Sequence, residues 1–231
     1  MIVPAPVAAP PRDCCLCPRL GAFREVQQSA HPEWFNAPVP PFGEDAAALL
    51  IVGLAPGLRG ANRTGRPFTG DYAGDLLYET LRKFGFAEGV YDARPDDGLV
   101  LRGVRITNAV RCVPPQNKPL PGEIATCRRF LAAEIAGLPR LRAILALGAI
   151  AHQSVLATLD LRRALYPFAH GRMHVLPSGL VLADSYHCSR LNTNTGKLSA
   201  AMFESVFATL SQWLESRSLK PLRCQGVFAV S

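Results

Sequence analysis

Residues 53–71 read Gly-Leu-Ala-Pro-Gly-Leu-Arg-Gly-Ala-Asn-Arg-Thr-Gly-Arg-Pro-Phe-Thr-Gly-Asp and follow directly on an apolar run. The glycines let backbone amides approach a ligand closely, Arg63 and Arg66 suit phosphate oxygens, and Phe68 offers a flat apolar face to a ring. The segment closes on a carboxylate, Asp71, ahead of a helix. Gly53 and Gly57 are four positions apart with no G-x-G-x-x-G spacing, and no Gly-Lys-Ser/Thr closes a P-loop. The composition therefore points to a site for a nucleotide or nucleic acid of another kind.

A second group occupies residues 185–197, Ser-Tyr-His-Cys-Ser-Arg-Leu-Asn-Thr-Asn-Thr-Gly-Lys. His187 stands where a strand should end, and an imidazole there can donate to a carbonyl or a developing anion. Arg190, Asn192 and Lys197 suit a phosphate backbone, and Leu191 is placed to act as an apolar wedge. His152 lies in an apolar helical stretch and reads as structural. His31, His170 and His174 offer no ligand spacing.

The cysteines form a third group. Cys14 and Cys17 make a C-x-x-C pair, whose two-residue gap lets both thiolates face one metal centre. Cys112 and Cys127 could complete a four-thiolate site that ties the N-terminal arm to the body. Spacing alone admits zinc or a [4Fe–4S] cluster, and the lack of a second C-x-x-C tilts the choice toward iron–sulfur. Cys15, Cys188 and Cys224 are surplus to this set.

These residues need elements to hold them. Strands are expected over 46–54, 104–110 and 143–147, with a hairpin or bent fourth strand over 174–176 and 180–185. Helices are expected over 74–84, 123–137, 148–159 and 199–215, and a polar loop over 91–101 with a turn at Asp96-Asp97-Gly98. Such alternation predicts an α/β fold, a three-layer α/β/α sandwich around a central parallel sheet of roughly four strands. Ligands of such sheets bind beyond the carboxyl ends of the strands. Residues 53–71, 108–118 and 187–197 all fall there, which predicts one active site.

The 231 residues suit one domain over 14–216, with a disordered leader over 1–13 and a tail over 217–231. A hydrophobic content of 48% argues against general disorder, and a net charge of +7 favours a polyanionic partner. No run is long enough to span a membrane, and the N-terminus lacks the charged start and apolar core of a signal peptide. A cytoplasmic protein with reduced thiols is therefore expected, and a monomer.

The three segments resemble the uracil-DNA glycosylase superfamily, in its iron–sulfur branch, and there the type 5 enzymes. Gly53-Leu54-Ala55-Pro56-Gly57 with residues 62–71 looks like that family's first motif, and His187-Cys188-Ser189-Arg190-Leu191-Asn192-Thr193 like its second. Residues 110–119, Val-Arg-Cys-Val-Pro-Pro-Gln-Asn-Lys-Pro, are similar to the segment between them. The resemblance implies a [4Fe–4S] cluster on Cys14, Cys17, Cys112 and Cys127, and a DNA partner containing uracil or other deaminated bases. It implies that Phe68 stacks on an extruded base, with Gly53, Ala55 and Asn108 also in the base pocket. Asp71 would position the hydrolytic water or stabilise a positive sugar, Asn117 would assist, and His187 would hydrogen-bond the departing base.

Three positions depart from the pattern. Ala55 stands where other branches carry an acidic residue, which shifts weight to Asp71. Asn108 matches the asparagine that reads the uracil edge in the type 4 branch, and Cys188 replaces a common proline. Two rival readings belong to other classes: a non-catalytic metal-stabilised nucleic-acid-binding module, and a nucleotide or phosphate-ester hydrolase.

Overall fold

The computed structural model describes residues 9–218. In chain order the elements are α1 (Pro18–Ala30), β1 (Phe42–Gly43), β2 (Leu49–Gly53), α2 (Ala61–Thr64), α3 (Tyr72–Lys83), β3 (Ala87–Glu88) and β4 (Val100–Leu101). They continue as β5 (Val104–Asn108), α4 (Pro121–Ala136), β6 (Ala143–Leu147), α5 (Ala149–Thr158), β7 (Met173–Val175), β8 (Val181–Ser185), α6 (Arg190–Asn194) and α7 (Ala200–Ser218). The main sheet has the order β1-β5-β2-β6-β8-β7. Its four central strands are parallel, and an antiparallel strand closes each edge.

The central strands are short, apolar and β-branched or leucine-rich, and all five residues of β2, β6 and β8 are buried. That is how a strand reads when helices cover both sheet faces. Alternation divides the side chains between two cores. Leu49, Ile51, Leu145 and Ala183 meet Leu77 and Leu81 of α3 and Phe203 and Phe207 of α7. Leu50, Val52, Ile144 and Leu182 face the other way, onto Leu131 of α4 and Val155 and Leu156 of α5. The expected three-layer sandwich is present, with a six-stranded sheet in place of four.

The differences lie where local signal is short. Two-residue β1 pairs with β5 at Phe42↔Ile106, and the polar 87–101 region holds a small β3–β4 ribbon. The loop after β2 contains α2, and the segment after β8 contains α6. Sequence reading also missed α1, which buries only Leu20 and Arg24 among its residues. Its packing surface is the cysteine region, together with Val110 and Phe130. The predicted leader and tail fall mostly outside the described residues, as does Cys224.

Candidate functional site

At the carboxyl ends of β2, β5 and β8 the chain opens a cavity of about 520 Å³. Its walls include Ala55, Phe68, Asp71, Asn108, Asn117, His187 and Arg190, together with Gly57, Tyr72 and Ser189. Three segments far apart in sequence thus converge because parallel strands deliver all their following loops to one sheet edge.

Asp71 is the N-cap of α3, and its Oδ1 accepts from Gly74 N–H at 3.3 Å. Burial pushes this carboxyl above the usual range, against the pull of the Gly74 and Ala73 amides. Gly57 and Gly60 make room for it: a Cβ on Gly57 would sit 2.9 Å from Asp71 Oδ2, and one on Gly60 would strike the same oxygen. Those two glycines form the wall behind the carboxylate.

Phe68 is buried, with its ring 5.9 Å from that of His187 in a stacked arrangement, and its φ of 54° is left-handed. Such a conformation is strained for a bulky residue and persists only where the surroundings impose it. Tyr78 Oη donates to Pro67 O at 2.6 Å, and Tyr91 Oη donates to Phe68 O at 3.4 Å. Gly74 lies so close to the Phe68 carbonyl that a Cβ there would collide with it. Gly53 does the same service from below, since a Cβ would come within 2.6 Å of Phe68 Cζ and strike the Asn108 side chain.

Arg66 corrects an expectation. It does not face the cavity or solvent: it forms a two-bond pair with Asp97 at 2.7 and 2.8 Å, both side chains buried. Its guanidinium also lies over the rings of Phe42, Tyr78 and Tyr91. With Nε on Thr69, both Nη atoms on Asp97 and the side chain buried, the guanidinium is out of a phosphate's reach, so Arg66 is a support for the Phe68 loop. Asp97, read from sequence as part of a turn, was missed as its partner. Desolvation would raise the Asp97 carboxyl, but the bonds from Arg66 and from the Asp92 and Leu99 amides hold it well below the usual range.

Burial draws the His187 imidazole down to about 4, so it is neutral at pH 7 and can donate without carrying charge. Asn192 does not point outward. Its Nδ2 donates to His187 O at 2.8 Å and fixes the turn that presents the imidazole. Ser189 caps α6, and Cys188 is buried with its Sγ donating to Ala73 O at 3.4 Å. Arg63, Arg190, Leu191 and Lys197 are exposed, Leu191 to 71%. Arg190 lies over the Tyr72 ring and Lys197 over the Tyr186 ring. Asn117 sits on the rim in left-handed backbone with φ 56°, and Asn108 is buried at the end of β5.

Residues 40–211 match the model of the uracil DNA glycosylase superfamily. The chain belongs to that superfamily. It is 47% identical over 199 residues to a type-5 uracil-DNA glycosylase of Thermus thermophilus, covering 84% of this chain and 90% of the relative. It is 39% identical over 198 residues to a type-5 uracil-DNA glycosylase of Pyrobaculum aerophilum, covering 84% and 86%. Similarity to type-4 enzymes is more local, with 33% identity over 137 residues to that of Archaeoglobus fulgidus, 59% of this chain and 61% of the relative. Within the superfamily the resemblance is thus to the type-5 branch along most of the chain. Ala55 lines the cavity, and Asp71 is the only carboxylate among its lining residues.

A second locus gathers the cysteines. Cys14, Cys17, Cys112 and Cys127 line one small recess between α1, the end of β5 and α4, together with Leu20 and Arg111. Arg24 Nη1 donates to Cys112 Sγ at 3.3 Å, and Arg111 N donates to Cys127 Sγ at 3.4 Å. Burial pushes the Cys112 thiol up to about 12 and raises those of Cys17 and Cys127. Cys15 is exposed and outside the recess.

The histidines bring a further correction. His174 does acquire ligand company: its Nε2 lies 3.6 Å from Asp184 Oδ2, while His152 Nδ1 lies 2.6 Å from Asp184 Oδ1. Sequence spacing hides this group, because α5, β7 and β8 each supply one member.

Proposed function

We propose that this protein is a DNA glycosylase that hydrolyses the N-glycosidic bond of uracil in DNA and leaves an abasic site. Support comes from the names of the type-5 relatives and above all from one arrangement: a carboxylate and a neutral imidazole share a 520 Å³ cavity with Phe68 beside the imidazole. The bond is inaccessible within a stacked duplex, so the nucleotide must leave the helix to be cut. Phe68 offers the extruded base a flat partner, and Asn108 offers amide donors and an acceptor to its edge.

As the C1′–N1 bond breaks, positive charge grows on the sugar and negative charge on the uracil. The Asp71 carboxylate lowers the energy of the first and accepts a proton from the attacking water, whose oxygen bonds to C1′. His187 donates to the departing base and stabilises the second, aided by its neutrality, because a buried neutral donor adds no charge of its own. Asn117 on the rim assists in holding the substrate. Arg63, Arg190 and Lys197 bind phosphates, and exposed Leu191 fills the gap left by the base. Asn108 lines the cavity, which favours uracil, and hypoxanthine and damaged pyrimidines are the further substrates to be tested.

Cys14, Cys17, Cys112 and Cys127 would hold a [4Fe–4S] cluster. One observation fits: Arg111 is buried with Nε and Nη1 unpartnered beside the recess, as donors awaiting sulfide acceptors would be. When bound, the cluster supplies a structural tie between α1 and the body, apart from the reacting atoms. The deciding experiment incubates the purified protein with labelled duplexes carrying uracil, hypoxanthine or 5-hydroxymethyluracil in EDTA. Alkali-labile sites at uracil are expected, and their absence from every duplex would refute the assignment.

A further inference from the structure

A second hollow, of about 320 Å³, opens between α4, α5 and the proline-rich segment that follows β5. Its walls include Pro119, Pro121, Ile124, Arg128, Ile150 and Arg163. Two observations make it continuous with the base cavity. Asn117 lines the cavity, and Pro119, two residues on, lines this groove. On the other wall a Cβ on Gly148 would sit 3.7 Å from His187 Cβ, and Ile150 follows two residues later. Both walls of the groove thus begin where the cavity ends.

The groove carries positive charge that the fold does not neutralise. Arg19, Arg66, Arg105 and Arg111 each bond a carboxylate. Arg128 differs: its Nε is buried with no hydrogen-bond partner among the described residues, and no acidic residue lines the groove. Arg163 Nη1 donates to Gln153 Oε1 at 3.2 Å, a neutral partner that steadies the guanidinium without cancelling its charge. A buried donor left unpaired is costly, so such a site favours an anion from outside. Ile124, Pro119 and Pro121 supply apolar walls, and Ile150 beside them is 46% exposed. Cations set among apolar side chains match a sugar–phosphate strand, whose oxygens are charged and whose deoxyribose carbons are not.

We propose that this groove binds the backbone of the DNA flanking the extruded nucleotide, with Arg128 and Arg163 each on a phosphate. Its role rests on the glycosylase reading above and extends that reading to the duplex beyond the lesion. An extruded nucleotide stays covalently joined to its neighbours, so its strand must leave the cavity across an adjacent surface. The groove is such a surface, formed at the carboxyl edge of the sheet by the segments that follow β5 and β6. Arg190 and Leu191 sit on α6 after β8, so the groove's two arginines meet a different stretch of the DNA.

The test measures binding of the full-length protein to a duplex with a central tetrahydrofuran abasic analogue, by fluorescence anisotropy over a series of salt concentrations. Arg128→Gln and Arg163→Gln should each weaken binding about 3–10-fold and lower the slope of log affinity against log salt by about 1. Arg128→Lys, which keeps the charge, should restore the slope. Arg163 is exposed, so its variant tests the groove even where Arg128→Gln disturbs packing. Arg140→Gln, at an exposed position just before β6 and so at the opposite end of the sheet, should change neither quantity. Duplexes trimmed back to the lesion on one side or the other locate the contact. One trimming should weaken wild-type binding and erase the difference between wild type and the variants. Unchanged affinity and slope in both glutamine variants would overturn the proposal and leave the groove to a partner other than DNA. An equal loss in Arg140→Gln, or a loss that survives trimming of either flank, would overturn it as well. Uracil release by wild type is read separately, so failure of the glycosylase assignment is distinct from failure of the groove.

Discussion

Asp71 caps a helix and lines the cavity with one carboxylate. Its Oδ1 caps α3 while Oδ2 faces Gly57 and Gly60, so the cap fixes the acid in the position the proposed mechanism needs. Asp71→Asn keeps a capping oxygen but loses the charge. Base release should fall by ~10²–10³-fold with DNA binding retained, as measured by single-turnover cleavage and a binding assay. Retained activity would remove Asp71 from the catalytic role. Burial raises the Asp71 carboxyl above 3.8, so activity that needs its anion falls as pH drops through a midpoint above that value. Near pH 4 the His187 imidazole also takes a proton, which steepens the fall. A pH–rate profile of wild type should show both, and His187→Gln should remove the His187 step and leave that of Asp71.

The elements act by bringing backbone close to these groups. Gly60 precedes α2, and a methyl group there would push on the Asp71 carboxylate. Gly60→Ala should therefore cut kcat well beyond any loss of thermal stability, and equal losses would refute the wall assigned to it. The Phe68 loop instead relies on Arg66 and Asp97. Removing one member of a buried pair leaves an uncompensated charge, so Arg66→Met should destabilise the fold by about 3–5 kcal/mol in urea unfolding. Asp97 has a depressed carboxyl, so its contribution is present above the ordinary carboxylate value and is lost as pH falls below it. Acid unfolding should accordingly be less pH-dependent in Arg66→Met than in wild type.

For the whole molecule, the cysteine recess and the Arg19–Glu123 pair at 2.7 and 2.8 Å hold α1 against α4 and the end of β5. Few apolar contacts do so otherwise, because α1 buries little besides Leu20. Cys17→Ser should lose iron, lower the melting temperature and expose residues 14–30 to protease, while a variant of exposed Cys15 should do none of these. With the net charge of +7 and the exposed Arg63, Arg190 and Lys197 on the proposed interface, DNA binding should be salt-dependent. Arg190→Ala should lower the slope of log affinity against log salt by about 1, the mark of one lost phosphate contact. An unchanged slope would remove Arg190 from the interface.

The amino-acid sequence determined the central strands, their covering helices and the three segments at the strand ends, because buried parallel strands and glycine-rich loops leave strong local patterns. Asp71, Phe68 and His187 stood out for the same reason: each is chemically unlike the run that precedes it. Tertiary structure decided what each polar group faces. Arg66 looked like a phosphate ligand until Asp97, 31 positions on, came within hydrogen-bond reach, and Asn192 turned inward to hold His187. His174 gained its neighbours only when α5, β7 and β8 packed together, and α1 found its surface only beside cysteines more than 80 positions away. Local pattern records the period of an element, whereas the partner of a charge depends on chain crossings that no short window contains.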